Sequence, residues 1–179
     1  MSKKVLVIST SPRKGGNSDV LADEFVRGAQ EGGNSVEKVT LYDKTIGFCK
    51  GCLACQSTQR CVIHDDADVI AQKMLTADVI AFATPIYYYG MCGQMKTMLD
   101  RSNPLFSADY AFRDICLLSA AAEEDSHTPD GAVTGLQGWI DCFEKVRLAG
   151  TVFAGGVTAV GEIQGHPALK KAYEMGKNV

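Results

Sequence analysis

Apolar residues fall along this chain in solid blocks separated by mixed stretches. Residues 5–8 (VLVI), 79–83 (VIAFA) and 115–118 (ICLL) are short runs of β-formers without polar alternation. Such runs suit strands covered on both faces, as a parallel sheet requires. Residues 149–154 (AGTVFA) predict a final strand, and residues 36–41, which mix charges with apolar positions, a strand nearer the sheet edge. Between these runs the period changes to that of a helix. Val20, Leu21, Ala22, Phe25, Val26 and Ala29 form one face over residues 19–31, ended by Gly32 and Gly33. Further helices are expected over 65–75, from about 93 to 101, and over 130–148, where Leu136, Ile140, Phe143 and Val146 recur at helical spacing. A last helix runs to about residue 176, with His166 as its cap and Pro167 at its first position.

Strands alternating with helices predict an α/β fold with a parallel sheet. There is no internal repeat or linker, so residues 1–179 are read as one domain. In such sheets ligands bind beyond the carboxyl ends of the strands, at the topological switch point. The loops 9–18, 84–93 and 119–131 occupy that position.

Composition narrows the partners. Charged residues make up 22% and hydrophobic residues 46% of the chain, and the net charge is −3. A general nucleic-acid binder needs a basic face, so that class is excluded. The apolar run after Lys3 and Lys4 is shorter than a secretory core, and no run of 18 apolar residues occurs. The expectation is a soluble cytoplasmic protein with no membrane partner. Thiols stay reduced there, which makes clustered cysteines metal-binding or catalytic rather than disulfide-forming.

The first loop, STSPRKGGNS, leaves a strand and enters a helix. A helix amino-terminus favours an anion. Ser9, Ser11, Asn17 and Ser18 add neutral donors and Arg13 a charge. The loop lacks the lysine of GxxxxGK[ST], which disfavours nucleotide hydrolysis. Two readings stand: a seat for a retained phosphate monoester, or a polar loop with Ser18 as helix cap. The second loop, TPIYYYGMCG, offers Tyr87, Tyr88 and Tyr89 as flat faces for a ring, or as a core edge or subunit contact.

Four of the seven cysteines lie in residues 49–61, CKGCLACQSTQRC, spaced C-x2-C-x2-C-x5-C. Gly51 permits a tight turn among them. Four soft ligands at Cys49, Cys52, Cys55 and Cys61 suit a [4Fe-4S] cluster or zinc, and a thiol-only loop remains open. Cys92, Cys116 and Cys142 are scattered and are read as buried structural thiols, Cys92 lying within the second loop. The histidines form no catalytic arrangement.

SPRKGGNS, TPIYYYGMCGQMKTMLDR and GEIQGHPALKKAYEMGK, in that order, resemble the flavodoxin-like NAD(P)H-dependent FMN reductases. CKGCLACQSTQRC followed by Asp65 and Asp66 resembles the iron–sulfur flavoprotein branch of that group. The resemblance implies a flavodoxin-like three-layer sandwich with a five-stranded parallel sheet in the order 2-1-3-4-5. It implies FMN held noncovalently in a homodimer or homotetramer. It places the FMN phosphate at Ser9, Ser11, Arg13, Asn17 and Ser18. It places the ring at Thr84, Pro85, Ile86, Tyr87, Tyr88, Tyr89 and Gly90 and at Ser119, Ala120 and Ala121. The run Glu123, Glu124, Asp125 would repel a nicotinamide 2′-phosphate if it faces that site; the other reading is a solvated face.

The function expected is an oxidoreductase passing electrons from NAD(P)H through FMN to an unidentified acceptor, with no side chain required as acid or base. One alternative is an electron carrier drawing on ferredoxin, with a [4Fe-4S] cluster on the cysteine loop. The other is a non-catalytic protein that binds a phosphate ligand.

Overall fold

The computed structural model describes residues 2–179. Strands β1 (Lys4–Ser9), β2 (Ser35–Thr40), β3 (Val79–Tyr87), β5 (Asp114–Ala120) and β6 (Arg147–Ala154) form a parallel sheet in the order β2-β1-β3-β5-β6. This is the expected five-strand order with one addition: β4 (Gly90–Met91) folds back antiparallel on the end of β3. The continuous apolar runs sit in the three central strands, and the mixed run is the edge strand β2, as their patterning requires.

Helices cover both faces. On one, α3 (Asp66–Thr76), α4 (Gly93–Arg101) and α5 (Asp130–Ile140) pack on Leu6, Ile8, Ile80, Phe82, Ile115 and Leu117. On the other, α1 (Asn17–Glu31) and α6 (Pro167–Lys177) pack on Val5, Val7, Val79, Ala81, Cys116 and Leu118. These are alternate residues of the same strands, and this is why the strands show no polar positions. The architecture is a flavodoxin-like three-layer sandwich. A short helix α2 (Cys55–Thr58) lies within the cysteine segment.

Helices α1 and α6 touch backbone to backbone. A Cβ on Gly28 would sit 2.0 Å from the Tyr173 carbonyl oxygen, and one on Gly176 2.1 Å from that of Phe25.

Several sequence expectations are corrected. Helix α1 begins at Asn17, and its N-cap is Gly16 with no side-chain cap; Ser18 lies inside the first turn and does not cap it. Helix α5 ends at Ile140, so the expected helix over 130–148 is too long. Residues 141–146 form a turn through Lys145 at φ +65°, and β6 starts at Arg147, whose N–H donates to the Arg113 carbonyl. Phe143 is buried from that turn rather than from a helix. The second loop is largely a hairpin, because β3 runs on to Tyr87. His166 does cap α6, its Nδ1 accepting from Ala168 N at 3.1 Å.

Candidate cofactor site and cysteine cavity

Sheet register brings the three candidate loops together. Ser9 pairs with Ala83, and Thr84 with Ser119, so the carboxyl ends of β1, β3 and β5 lie side by side. The chain turns to opposite sides of the sheet from β1 and β3, and this is the switch point where α/β sheets take ligands.

The first loop forms a polar cup at the start of α1. With no capping side chain at Gly16, the first-turn amides are left for another acceptor. Asn17 Oδ1 and Ser18 Oγ are buried there without a hydrogen-bond partner, while the buried Ser9 hydroxyl faces the Asp19 carboxylate. Buried polar atoms are almost always paired in native proteins, so two together beside an uncapped helix start mark a place that fits a polar ligand. Ser11 is engaged locally, its hydroxyl donating to the Arg13 carbonyl at 2.9 Å. Arg13 is exposed and donates through Nη1 to the Thr158 carbonyl at 2.9 Å. Asp19, in the first turn of α1, is neutralised. Burial alone would raise its carboxyl, but the Lys38 ammonium 2.7 Å away, the Ser9 hydroxyl and the Gly15 N–H hold it below the usual range.

The second loop is locked to the first by a buried polar knot. Thr10 donates to the Ala83 carbonyl through both N–H and hydroxyl, at 2.8 and 2.9 Å. Cys92 Sγ lies 3.2 Å from Thr10 Oγ1, and Cys92 N donates to Thr84 Oγ1 at 3.1 Å. Thr84, Pro85 and Ile86 are buried, whereas Tyr87, Tyr88 and Tyr89 stand in solvent. The tyrosines are therefore not a core edge. Tyr88 and Tyr89 close the hairpin at φ +48° and +62°, with Gly90 beginning β4. Left-handed backbone at both turn residues is the geometry of a tight hairpin, normally given to Asn or Gly. Bulky residues held there carry strain, which concentrates at functional sites.

Ser119 and Ala120 end β5, and Ala121 follows; all three are buried. Ser119 Oγ donates to the Val152 carbonyl at 3.4 Å. The acidic run beyond them is exposed, and Glu123 reaches back to accept from Tyr89 OH at 3.1 Å. At least one carboxylate thus lies on the aromatic hairpin.

All seven cysteines are free thiols. Cys49, Cys52, Cys55 and Cys61 line one cavity of about 440 Å³, walled on the other side by Leu99, Asn103, Trp139 and Phe143. Cys142 lines it too and is exposed, which corrects its reading as a buried thiol; Cys92 and Cys116 are buried as expected. Burial pushes the Cys116 thiol up to about 12, with Asp114 adding to the shift, so it stays protonated. Gly51 turns at φ +63° and Leu53 at φ +57°. Among the described residues, no three His, Cys, Asp or Glu side chains stand close enough together to hold a metal ion. Cys55 Sγ instead accepts from Asn103 Nδ2 at 3.0 Å, and Cys49 Sγ from Gly51 N at 3.4 Å. The donor chemistry fits a thiophilic centre, while the four sulfurs share a cavity without being gathered around one point.

Residues 3–128 match the family described as NADPH-dependent FMN reductase. The chain belongs to that family. It is 41% identical over 102 residues to an iron–sulfur flavoprotein, MJ1083, of Methanocaldococcus jannaschii, covering 57% of this chain and 53% of that one. It is 37% identical over 98 residues to a putative NAD(P)H-dependent FMN-containing oxidoreductase, YwqN, of Bacillus subtilis, covering 55% and 51%. The chain spans about half the length of the curated relatives it matches. An NAD(P)H:quinone oxidoreductase from Methanothermobacter marburgensis shares the fold at TM-score 0.76 and 17% identity, covering 99% of this chain and 96% of the other. Among the described residues no helix is long and apolar enough to cross a membrane.

Two parts of this candidate site escape sequence reasoning. One is the segment after β6: Thr158 and Ala159 carbonyls accept from Arg13 and Asn17, and Glu162 holds that segment by accepting from both of their N–H groups. The motif resemblance begins at Gly161 and does not reach Thr158 or Ala159. The other is Thr10, whose hydroxyl ties the two loops but reads as one polar residue among many.

Proposed function

We propose that residues 1–179 act as one FMN-binding domain that passes electrons from NAD(P)H to an acceptor. The observation that carries this reading is the amino-terminus of α1, uncapped by any side chain, with the Ser18 hydroxyl buried there without a partner. Family membership names the phosphate such a cup would take. Ser9, Ser11, Arg13, Asn17 and Ser18 would hold the FMN phosphate, with the α1 dipole favouring its charge. Thr84 to Gly90 and Ser119 to Ala121 would hold the ring. Bound FMN would supply the redox chemistry, accepting hydride from a reduced nicotinamide and releasing electrons to the acceptor. The chain's part is to bind and orient. The Thr10–Cys92–Thr84 knot fixes the spacing of phosphate and ring loops, and the exposed tyrosines give the ring a flat neighbour. Glu123 at the hairpin opposes a 2′-phosphate and favours NADH over NADPH. The homodimer or homotetramer, the cytoplasmic location and the acceptor belong to the same proposal.

A second reading is favoured by the cavity shared by Cys49, Cys52, Cys55 and Cys61. With the loop drawn inward, these thiolates would hold a [4Fe-4S] cluster, and the protein would serve as an electron carrier fed by ferredoxin.

Anaerobic reduction of the flavin-loaded protein separates the two. Bleaching of the flavin absorption by NADH or NADPH supports the reductase, and NADH is expected to be faster. Reduction by ferredoxin alone, with iron and labile sulfide on the same sample, establishes the carrier and rejects the nicotinamide donor.

A further inference from the structure

Arg101, the last residue of α4, is the largest fully buried side chain in the fold. A buried guanidinium is costly unless its donors are paired. Here Nη1 donates to Asp65 Oδ2 at 2.7 Å and to the Gly47 carbonyl at 2.7 Å. Nη2 donates to Asp65 Oδ1 at 2.8 Å and to the Ile63 carbonyl at 2.9 Å. The Asp65 carboxylate also accepts from Gly47 N and, as cap of α3, from Ala67 N. This is a fork-to-fork pair, the strongest and most directional ion pair available to a protein.

Its partners bracket the cysteine segment. Gly47 lies just before Cys49; Ile63 and Asp65 lie just after Cys61. One side chain therefore gathers both ends of the thiol loop, and the residues that follow it on the chain, Ser102 and Asn103, form part of the thiol cavity wall. The one remaining donor, Nε–H, is buried with no partner. Helix α4 begins beside the aromatic hairpin and ends at this clasp. The same helix, about 13 Å long, carries the ring-side loop at one end and the thiol loop at the other.

We infer that Arg101 is the positioning residue of the cysteine loop: its pair with Asp65 closes the loop and presents four thiols to one cavity for a thiophilic metal centre. The metal half of this rests on the second reading of the function; the closure of the loop does not.

The test uses the full chain with Arg101→Met combined with Asp65→Asn. That pair removes the clasp, leaves no buried charge alone, and keeps an α3 cap. Native-state alkylation by N-ethylmaleimide is followed at each cysteine by mass mapping, with buried Cys92 and Cys116 as internal monitors of general loosening. Cobalt(II) binding is titrated by its thiolate absorption. The expected result is alkylation of Cys55 and Cys61 faster by at least about tenfold, since reactivity follows access to the sulfur. Cys92 and Cys116 should be unchanged, and cobalt affinity should fall roughly 10–100-fold, as for other residues that orient ligands. Unchanged rates at Cys55 and Cys61, or an equal rise at Cys92 and Cys116, overturns the inference. Wild-type protein that takes no cobalt, with the alkylation pattern as expected, leaves the clasp standing and rejects the metal reading. Should the double variant fail to fold, Arg101→Lys, which keeps the charge and loses the fork, is judged by the same readouts.

Discussion

Ser18 separates a structural from a ligand-binding role by sign. Its hydroxyl is buried at the start of α1 with nothing to bond. Removing an unpaired buried polar group is neutral or stabilising, whereas removing a donor to a bound phosphate is not. Ser18→Ala is therefore expected to leave the melting temperature of flavin-free protein unchanged or higher and to weaken FMN binding about tenfold. Thermal unfolding with a fluorescence titration reads both. Asp65 gives a pH dependence. Burial would raise its carboxyl, but the Arg101 guanidinium and the Gly47 and Ala67 N–H groups hold it below the usual range. A depressed carboxyl contributes stability that is present above its unfolded value of about 4 and lost as pH falls through the folded value. Thermal stability should thus drop below about pH 4, and Asp65→Asn should flatten that part of the profile. At neutral pH the same substitution leaves Arg101 with a neutral partner, at a cost of up to about 3–5 kcal/mol. Ser18 was legible as a site residue because of its type and place. Arg101 was not, since an arginine ending an amphipathic helix reads as a solvated one.

Elements were legible where one local rule decided them. The runs at 5–8, 79–83 and 115–118 are strands because both faces are covered, and no other structure buries so short a run as well. The His166-Pro167 start of α6 follows from capping chemistry. Where tertiary contact decided, the sequence was silent. Phe143 and Val146 keep helical spacing beyond Ile140, yet β6 pairing with β5 takes the chain away first. The hairpin between β3 and β4 turns on two tyrosines, residues that carry no turn signal. The contact of α1 with α6 depends on Gly28 and Gly176, which lie within regular helices and look like weak helix formers. Neither position has room for a methyl group, and the atoms it would meet are backbone. Gly28→Ala should lower stability by about 1–3 kcal/mol through forced separation of the helices, despite the better helix propensity of alanine. Denaturant melts of Gly28→Ala beside the exposed control Gly138→Ala, which meets nothing, check this.

At the scale of the molecule, the fold gathers at one place what the chain spreads over about 150 residues. Ser9, Thr84 and Ser119 become neighbours through sheet register, and the segment around Thr158 closes over the first loop. The cysteine loop, inserted between β2 and α3, is tied back to the sandwich by Arg101. The α/β class and the loops at the strand ends were readable in the sequence. The convergence of residues after 155 on the first loop was not, because no local pattern encodes it. The central claim is that the cup at the start of α1 is built for a flavin phosphate. The most direct measurement is calorimetric titration of flavin-free protein with FMN and, in parallel, with riboflavin, which lacks only the phosphate. The account predicts one FMN per chain, bound at least about 100-fold more tightly than riboflavin, the contribution of two charge-assisted hydrogen bonds. Equal affinity for the two, or binding of neither, would contradict it.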